Sequence, residues 1–220
     1  WSSDVCSSDL SPAFFWKQYG MWCFATHADV TAVFRDKRFG RQILHVATRE
    51  KLGWPETPAH VKPFYDVEDH SLLSLEPPDH TRLRALINRA FVSRQVERLA
   101  PRIEKLAHQL IDRFETQGQA ELLEAFATPI PVIVIAELLG VPTDMTSQLL
   151  EWSHKMVAMY QFGRSRAAED FAVKATHEFV AYLKAYIAER RQKPADDLIS
   201  HLIAAEMEGV RLTEDELVST

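Results

Sequence analysis

The feature that most constrains the fold is a series of amphipathic helical segments between about residue 77 and residue 206. In the first of them the apolar side chains recur every three and four residues, at Leu83, Leu86, Ile87, Ala90 and Phe91. Glycine is scarce, at 7 of 220 residues, which favours helices over a glycine-rich loop scaffold. Apolar residues make up 46% of the chain, enough to build a folded core, so the composition excludes a disordered protein.

Proline and glycine mark where the next helices begin and end. Ser93 is expected to cap a short helix that stops before Pro101, because proline is tolerated at the first position of a new helix. The helix that Pro101 opens is expected to end at Gly118. Its predicted core positions are Ile103, Leu106, Leu110 and Phe114.

An extended piece is expected around residues 120–123, followed by further helices. They are predicted over residues 129–139, 144–160, about 171–193 and 196–206. In the third of these helices the expected core positions are Phe171, Ala175, Phe179, Leu183 and Tyr186 or Ile187. Residues 213–216 read Thr-Glu-Asp-Glu, a capping box that announces one more helix. Since barely two turns follow it, we expect the chain to be cut inside a domain.

Only a small β element is expected, near the N-terminus. Residues 21–26 predict a strand and residues 27–36 a short helix, whereas residues 40–71 predict a long irregular segment. The fold class expected is therefore mainly α with a small β-sheet. Residues 1–10 are rich in serine and aspartate and differ from the rest, so we expect a non-native or disordered segment there and a single domain over residues 11–220.

Charge and cysteine content limit the compartment and the partners. The formal net charge of −6 argues against nucleic acid as the main partner. The two cysteines, Cys6 and Cys23, form no CxxC motif, which favours a reducing, cytoplasmic setting without a structural zinc site. No apolar run approaches the roughly 18 residues of a membrane span, so no membrane partner is expected.

The segment around the first amphipathic helix carries the most informative chemistry. His80 and Arg84 are four residues apart and share one helical face, close in direction to Ile87 and Phe91. A guanidinium beside a buried apolar stripe requires an anion. Spacing alone leaves two equal alternatives. In the first, the anion is a carboxylate elsewhere in the chain and His80 is a hydrogen-bonded core histidine. In the second, the anion is the carboxylate or phosphate of a ligand.

The sequence EPPDHTRLRALINRAF, followed by SRQVERL, resembles the third-helix region of the bacterial cytochrome P450 enzymes, the haem-thiolate monooxygenases. The pieces CFATHADVTAVFRDKRFG, FATPIPVIVIAELLGVP and DDLISHLIAAE with LTEDELVST resemble further parts of the same family in the same order. The resemblance covers residues 14–220 and implies the N-terminal half of the P450 fold, cut at the start of its long central helix.

This resemblance implies haem b as cofactor, with His80 and Arg84 binding its propionates. It implies that Arg82 and Arg89, whose common alternative is a solvated helix face, contribute to a surface where an acidic ferredoxin docks. Residues 40–71 would be the loop over the substrate pocket and residues 161–165 its access lid. Apolar contacts to a small organic substrate would come from Trp54, Phe64, Met156, Met159, Tyr160 and Phe162.

The family's iron-ligating loop, Phe-x-x-Gly-x-x-x-Cys-x-Gly, does not occur in the sequence, and Cys23 does not match it. No catalytic residue and no metal ligand is therefore assigned within these residues. The parent protein is expected to be a monomeric monooxygenase that receives electrons from NAD(P)H through a ferredoxin reductase and a ferredoxin, and the fragment alone is expected to be inactive. The alternative is a non-enzymatic all-α module that binds a small molecule, such as a regulator's effector domain.

Overall fold

A computed structural model describes residues 11–44, 46–91, 93–207 and 209–220. The prediction for residues 1–10 lies outside these described residues. The chain divides into two compact units, residues 1–47 and 48–220, and each is described by itself. That residues 11–220 form a single domain stays a prediction.

The first unit contains a β-hairpin and one helix. Strands β1 (Ala13–Trp16) and β2 (Met21–Phe24) pair antiparallel, with Ala13 opposite Phe24 and Trp16 opposite Met21. Helix α1 (His27–Arg35) follows, and the Thr26 hydroxyl caps it by accepting a hydrogen bond from the Asp29 amide at 3.1 Å. The strand and helix predicted here are confirmed.

In its described residues the second unit consists mainly of helices joined by turns and loops, with one small strand pair. Its helices are α2 (Arg49–Leu52), α3 (Lys62–Glu68), α4 (Asp79–Ala90), α5 (Ser93–Asp112), α6 (Pro129–Leu139), α7 (Thr146–Val157), α8 (Arg166–Gln192), α9 (Leu198–Ala204) and α10 (Glu214–Ser219). Strands β3 (Glu206–Met207) and β4 (Val210–Arg211) form a second hairpin between α9 and α10. The described residues therefore confirm a mainly α fold with little β-structure.

Several local predictions are wrong. The segment over residues 48–71 is not irregular, because it contains α2, α3 and a 3-10 turn at Ala59–Val61. Pro101 does not open a helix but lies inside the continuous α5, which begins at Ser93. Residues 120–123 do not form the expected extended piece, because the chain enters a π-helical turn at Leu123–Ala127. The Ser93 side chain, predicted to act as a cap, lies outside the described side chains.

Helix α8 is the element around which the second unit packs, since it contacts α3, α7, α9 and α10. The core includes fully buried Leu83 and Leu86 of α4 and buried Leu183 and Ile187 of α8. Phe171, expected in the core, is 59% exposed, whereas the adjacent Ala172 is fully buried in a separate small cluster. The other buried members of this core are Ile87, Ala90, Ala136, Val141, Tyr186, Leu198, Ile199, Leu202, Leu212, Leu217 and Val218.

A buried polar cluster joins the ends of α6, α8 and α9. We call it the Arg190 cluster, and its members are Gly140, Tyr186, Arg190 and Asp197. Arg190 Nε donates to Asp197 Oδ2 at 2.7 Å, and the Tyr186 hydroxyl donates to the Gly140 carbonyl oxygen. Asp197 also caps α9 by accepting from the Ser200 amide at 2.7 Å. The cluster therefore fixes three helix ends against one another.

Candidate functional site

Helix α4 positions the His80 and Arg84 side chains. Leu83 and Leu86 have no exposed surface, and their burial fixes the rotation of the helix about its own axis. At about 100° per residue, positions 80 and 84 then fall on one face. The sequence-predicted pair is thus brought together, one helical turn apart, and we call these two residues the α4 cation pair.

The α4 cation pair has no ion-paired carboxylate among the described residues. His80 is half-buried and Arg84 is exposed, and neither forms a side-chain hydrogen bond or an ion pair with a described side chain. The expectation that Arg84 flanks the buried stripe instead of facing water is therefore wrong. The internal salt bridge, one of the two open alternatives for Arg84, has no described partner.

Arg82, the arginine between them, points elsewhere. Its guanidinium binds the carboxylate of Glu216 on α10, with Nη1 3.4 Å from Oε2 and a close contact between Nη2 and Oε1. Arg89 is exposed and donates from Nη1 to the Glu206 carbonyl oxygen at 2.8 Å. Arg82 is partly exposed, with 30% of its side chain accessible, and is ion-paired with the buried Glu216, which is 6% exposed.

The electrostatics of Glu216 reflect two opposing effects. Burial disfavours its carboxylate, but hydrogen bonds from the Arg82 guanidinium and the Thr213 backbone outweigh burial and hold the pKa of Glu216 below its ordinary value. Arg82 and Glu216 are therefore an ion pair at neutral pH. We call them the α4–α10 ion pair; the sequence contained both residues but no signal that pairs them.

Of the side chains expected to contact substrate, two are buried, Met156 is partly buried against them, and three are more exposed. Phe64 and Met159 are buried and pack together in a small second core with Val61 and Ala172. Phe64 also makes an edge contact with Tyr160, at 6.0 Å between ring centroids. The more exposed members of the expected set are Trp54, Tyr160 and Phe162. The two buried side chains thus join the 59–68 segment to the α7–α8 region.

A polar cluster at the same place was not foreseen from the sequence. His60 Nε2 lies 2.7 Å from Glu169 Oε2, and Arg164 Nε lies 3.1 Å from Glu169 Oε1. The hydrogen bond with His60, with the positive charge of Arg164 added, lowers the pKa of Glu169 against the effect of burial. We call these three residues the Glu169 cluster. It ties the turn at Ala59–Val61 to the start of α8.

A cavity of about 460 Å³ lies between α6, α8, α9 and α10. Its walls are almost entirely apolar, and Phe91, the residue after α4, contributes to them together with Leu217 and Val218. Helix α4 therefore presents a cation pair near its N-terminus and borders an apolar space at its C-terminal end. This volume is within the range of small-molecule sites.

No helix in the described part of the chain combines the length and apolar character that a membrane span requires. Among the described residues, no group of three or more His, Cys, Asp or Glu side chains is arranged to hold a metal ion.

Comparison with known proteins identifies relatives along nearly the whole chain. No protein-family model matches. The polyketide biosynthesis cytochrome P450 PksS of Bacillus subtilis is 37% identical over 205 residues, which is 93% of this chain and 48% of that relative. The mycinamicin IV hydroxylase/epoxidase of Micromonospora griseorubida is 37% identical over 199 residues, 90% of this chain and 46% of the relative.

The solved structures that resemble this chain are also cytochrome P450s. A crystal structure of P450BioI in complex with acyl carrier protein ligated to hexadec-9Z-enoic acid superimposes with a TM-score of 0.85 at 28% identity, and the match covers 98% of this chain and 54% of that one. The chain thus spans about half the length of the curated relatives and solved structures it matches. Their names give no support to a regulator's effector domain.

Proposed function

This chain is homologous to the cytochrome P450s, a family of oxidoreductases, and from that premise we propose that the protein containing it is a haem-thiolate monooxygenase. Its reaction inserts one oxygen atom of O₂ into a small apolar organic substrate. The single observation that carries the proposal is the α4 cation pair: His80 and Arg84 share one helical face with no described protein anion to neutralise them.

The α4 cation pair fits the chemistry of haem. Haem b has two propionate carboxylates at one edge of an apolar disc, and an arginine with a histidine one turn away is a donor set suited to carboxylates. Arg84 offers a planar fork of N–H groups, and the His80 ring offers a further donor. When bound, haem supplies the activation of O₂ on which the reaction depends.

The residues of this chain contribute binding and orientation. The buried Leu83 and Leu86 pack the apolar side of α4 into the core. They therefore fix which way the face of the helix that bears His80 and Arg84 is turned. We assign no catalytic residue to the chain. The axial thiolate is proposed to come from outside residues 1–220, because Cys23 lies in strand β2 and lacks the family's cysteine-loop motif.

The proposal extends to the electron donors of the enzyme, its oligomeric state and its compartment. Electrons are proposed to pass from NAD(P)H through a ferredoxin reductase to a ferredoxin, which docks on a surface that includes the exposed Arg89. The enzyme is proposed to be a cytoplasmic monomer without nucleic-acid or membrane partners. Residues 1–220 alone are proposed to be inactive, because no residue within them is assigned as the iron ligand.

The test uses the full-length protein with Arg84→Ala, His80→Ala and, as a control of the same type on the same helix, Arg89→Ala. Haem content per polypeptide and the rate of haem transfer to excess apomyoglobin are measured. A hydrogen bond to a charged group contributes about 1.5–3 kcal/mol, so Arg84→Ala should speed haem loss by about tenfold or more. His80→Ala should act in the same direction and Arg89→Ala should leave the rate unchanged.

Unchanged haem loss in both Arg84→Ala and His80→Ala would remove these residues from the haem site. The thiolate assignment has its own test, since residues 1–220 expressed alone should give no carbon-monoxide difference spectrum of the thiolate-ligated type. Its appearance in the purified fragment would show that the ligand lies within these residues.

A further inference from the structure

The α4–α10 ion pair lies on the opposite side of α4 from the cation pair. Arg82 is two residues from both His80 and Arg84, and at about 100° per residue its side chain leaves the helix about 200° from theirs. It points to Glu216, which is separated from it by 134 positions in the sequence. One turn of α4 thus carries His80 and Arg84, which have no ion pair with a described side chain, on one side and the ion-paired Arg82 on the other.

Glu216 is held from two directions, so it is a fixed point and not a mobile surface carboxylate. Its Oε2 accepts a hydrogen bond from the Thr213 amide at 2.8 Å, and its own amide donates to Thr213 Oγ1 at 3.2 Å. These two bonds form the capping box at the start of α10. The carboxylate that receives Arg82 therefore has its position set by the first turn of α10.

The packing around this pair limits how α4 can respond to its loss. Leu83, which follows Arg82, is fully buried, and the α10 residues that follow Glu216, Leu217 and Val218, are buried in the same core. Leu217 and Val218 also line the 460 Å³ cavity. The ion pair thus joins the turn of α4 that bears the cations to the helix that forms one wall of the apolar cavity.

We infer that Arg82 and Glu216 are positioning residues for the α4 cation pair, fixing the direction of His80 and Arg84 relative to α10. The inference rests on the proposed haem site and goes beyond it by assigning a role to Arg82, which leaves α4 on the side opposite His80 and Arg84, and to its partner Glu216. Truncating either partner leaves the buried Glu216 or the partly buried Arg82 without its counter-charge. This favours a shift of the N-terminal turn of α4, although Leu83 and Leu86 still hold the helix in the core. The cation pair then loses its fixed geometry although both its side chains are present.

The experiment measures haem transfer to apomyoglobin from the full-length holoprotein, in parallel with thermal unfolding. Glu216→Gln is compared with Glu137→Gln, which breaks the ion pair between Arg102 of α5 and Glu137 of α6 and leaves α4 untouched. Both variants should lower the unfolding temperature. Only Glu216→Gln should accelerate haem loss, by about five- to tenfold, the scale of one hydrogen bond's contribution.

A double-mutant cycle separates positioning from general destabilisation. If Glu216 acts through the cation pair, Glu216→Gln should accelerate haem loss by less than about twofold when Arg84→Ala is already present. Full additivity with Arg84→Ala, or equal haem loss in Glu216→Gln and Glu137→Gln, overturns the inference while leaving the proposed haem site intact. Failure of Arg84→Ala itself to change haem loss overturns that site instead.

Should Glu216→Gln not yield folded protein, Arg82→Lys supplies the second variant. It keeps the positive charge but replaces the planar fork by a point charge. We expect the rate of haem loss from Arg82→Lys to lie between the rates of the unmodified protein and of Arg82→Met. In the Arg84→Ala background, Arg82→Lys should accelerate haem loss by less than about twofold, as expected for Glu216→Gln. Identical rates for Arg82→Lys, Arg82→Met and the unmodified protein contradict the inference.

Discussion

The side chain of Asp197 occupies the space that a side chain at position 140 would need. Gly140 has φ +77°, and a Cβ built on it would lie 2.6 Å from the Cβ and Cγ of Asp197. Asp197 cannot move away easily, because it binds Arg190 and caps α9. A glycine is therefore required at position 140 both by its backbone conformation and by its neighbour.

We expect Gly140→Ala to destabilise the protein by about 2–4 kcal/mol, the sum of a left-handed backbone for a non-glycine residue and a core clash. Gly118→Ala is a matched control, since Gly118 has φ +74° and nothing within 4 Å of the position of a Cβ. It should cost only about 1 kcal/mol. Urea unfolding of both variants measures the free energy of unfolding, and the difference between them isolates the contact with Asp197. Equal losses of unfolding free energy in the two variants would contradict a clash with Asp197.

Acid stability should depend on the Glu169 cluster. The hydrogen bond with His60 lowers the pKa of Glu169, with Arg164 acting in the same direction. A carboxyl whose folded pKa is lowered stabilises the fold above its ordinary pKa, about 4.3, and loses that contribution as pH falls through the lower folded value. Stability measured from pH 7 to pH 3 should therefore fall more steeply in the unmodified protein than in Glu169→Gln.

Glu104→Gln is the control for that experiment, because Glu104 is exposed and has no ion pair with a described residue. Its stability should follow the unmodified protein across the whole pH range. If Glu169→Gln and Glu104→Gln gave parallel curves below pH 5, the Glu169 cluster would not contribute to acid sensitivity.

The proposed ferredoxin surface predicts a salt-sensitive effect of Arg89. Exposed charges at an interface act mainly on the association rate. Arg89→Ala should lower the second-order rate of reduction by ferredoxin by about two- to fivefold at low ionic strength, with the difference shrinking as salt screens the charge. Lys105→Ala, an exposed cation on α5, should leave the rate unchanged. A salt-independent difference would argue for a structural effect of Arg89.

Leu86 should be among the most sensitive core positions. It is fully buried in the core shared by α4, α8 and α9, and Leu→Ala at such sites costs about 2–5 kcal/mol. Leu73, which is 69% exposed, provides the comparison. Urea midpoints should show Leu73→Ala within about 0.5 kcal/mol of the unmodified protein, and comparable losses at both positions would contradict the assigned packing of α4.

Local signals explain why much of the fold was predictable. The apolar period of α4 and the Thr213 capping box each act within a few residues, and both appear where the sequence places them. Pro101 shows the limit of such signals. A proline without an N–H fits a helix start, yet α5 runs through Pro101 as one continuous helix.

The range of each contact along the chain also explains which parts of the candidate site could be predicted. Spacing alone places His80 and Arg84 on one face, because that relationship is local. The partner of Arg82 could not be read from the sequence, since periodicity gives the direction of a side chain but not what meets it 134 positions later. The same holds for His60 and Glu169, which approach only when the 59–68 segment packs on α8.

The long sequence separation of Arg82 and Glu216 has a kinetic consequence. Helices α7 and α8 are neighbours in the chain and pack along each other, so their contacts can form early, whereas a contact across 134 positions requires a large loop to close first. We therefore expect Glu216→Gln to speed unfolding while scarcely changing the folding rate. The pair would then act on how long the native state persists and not on how quickly it is reached.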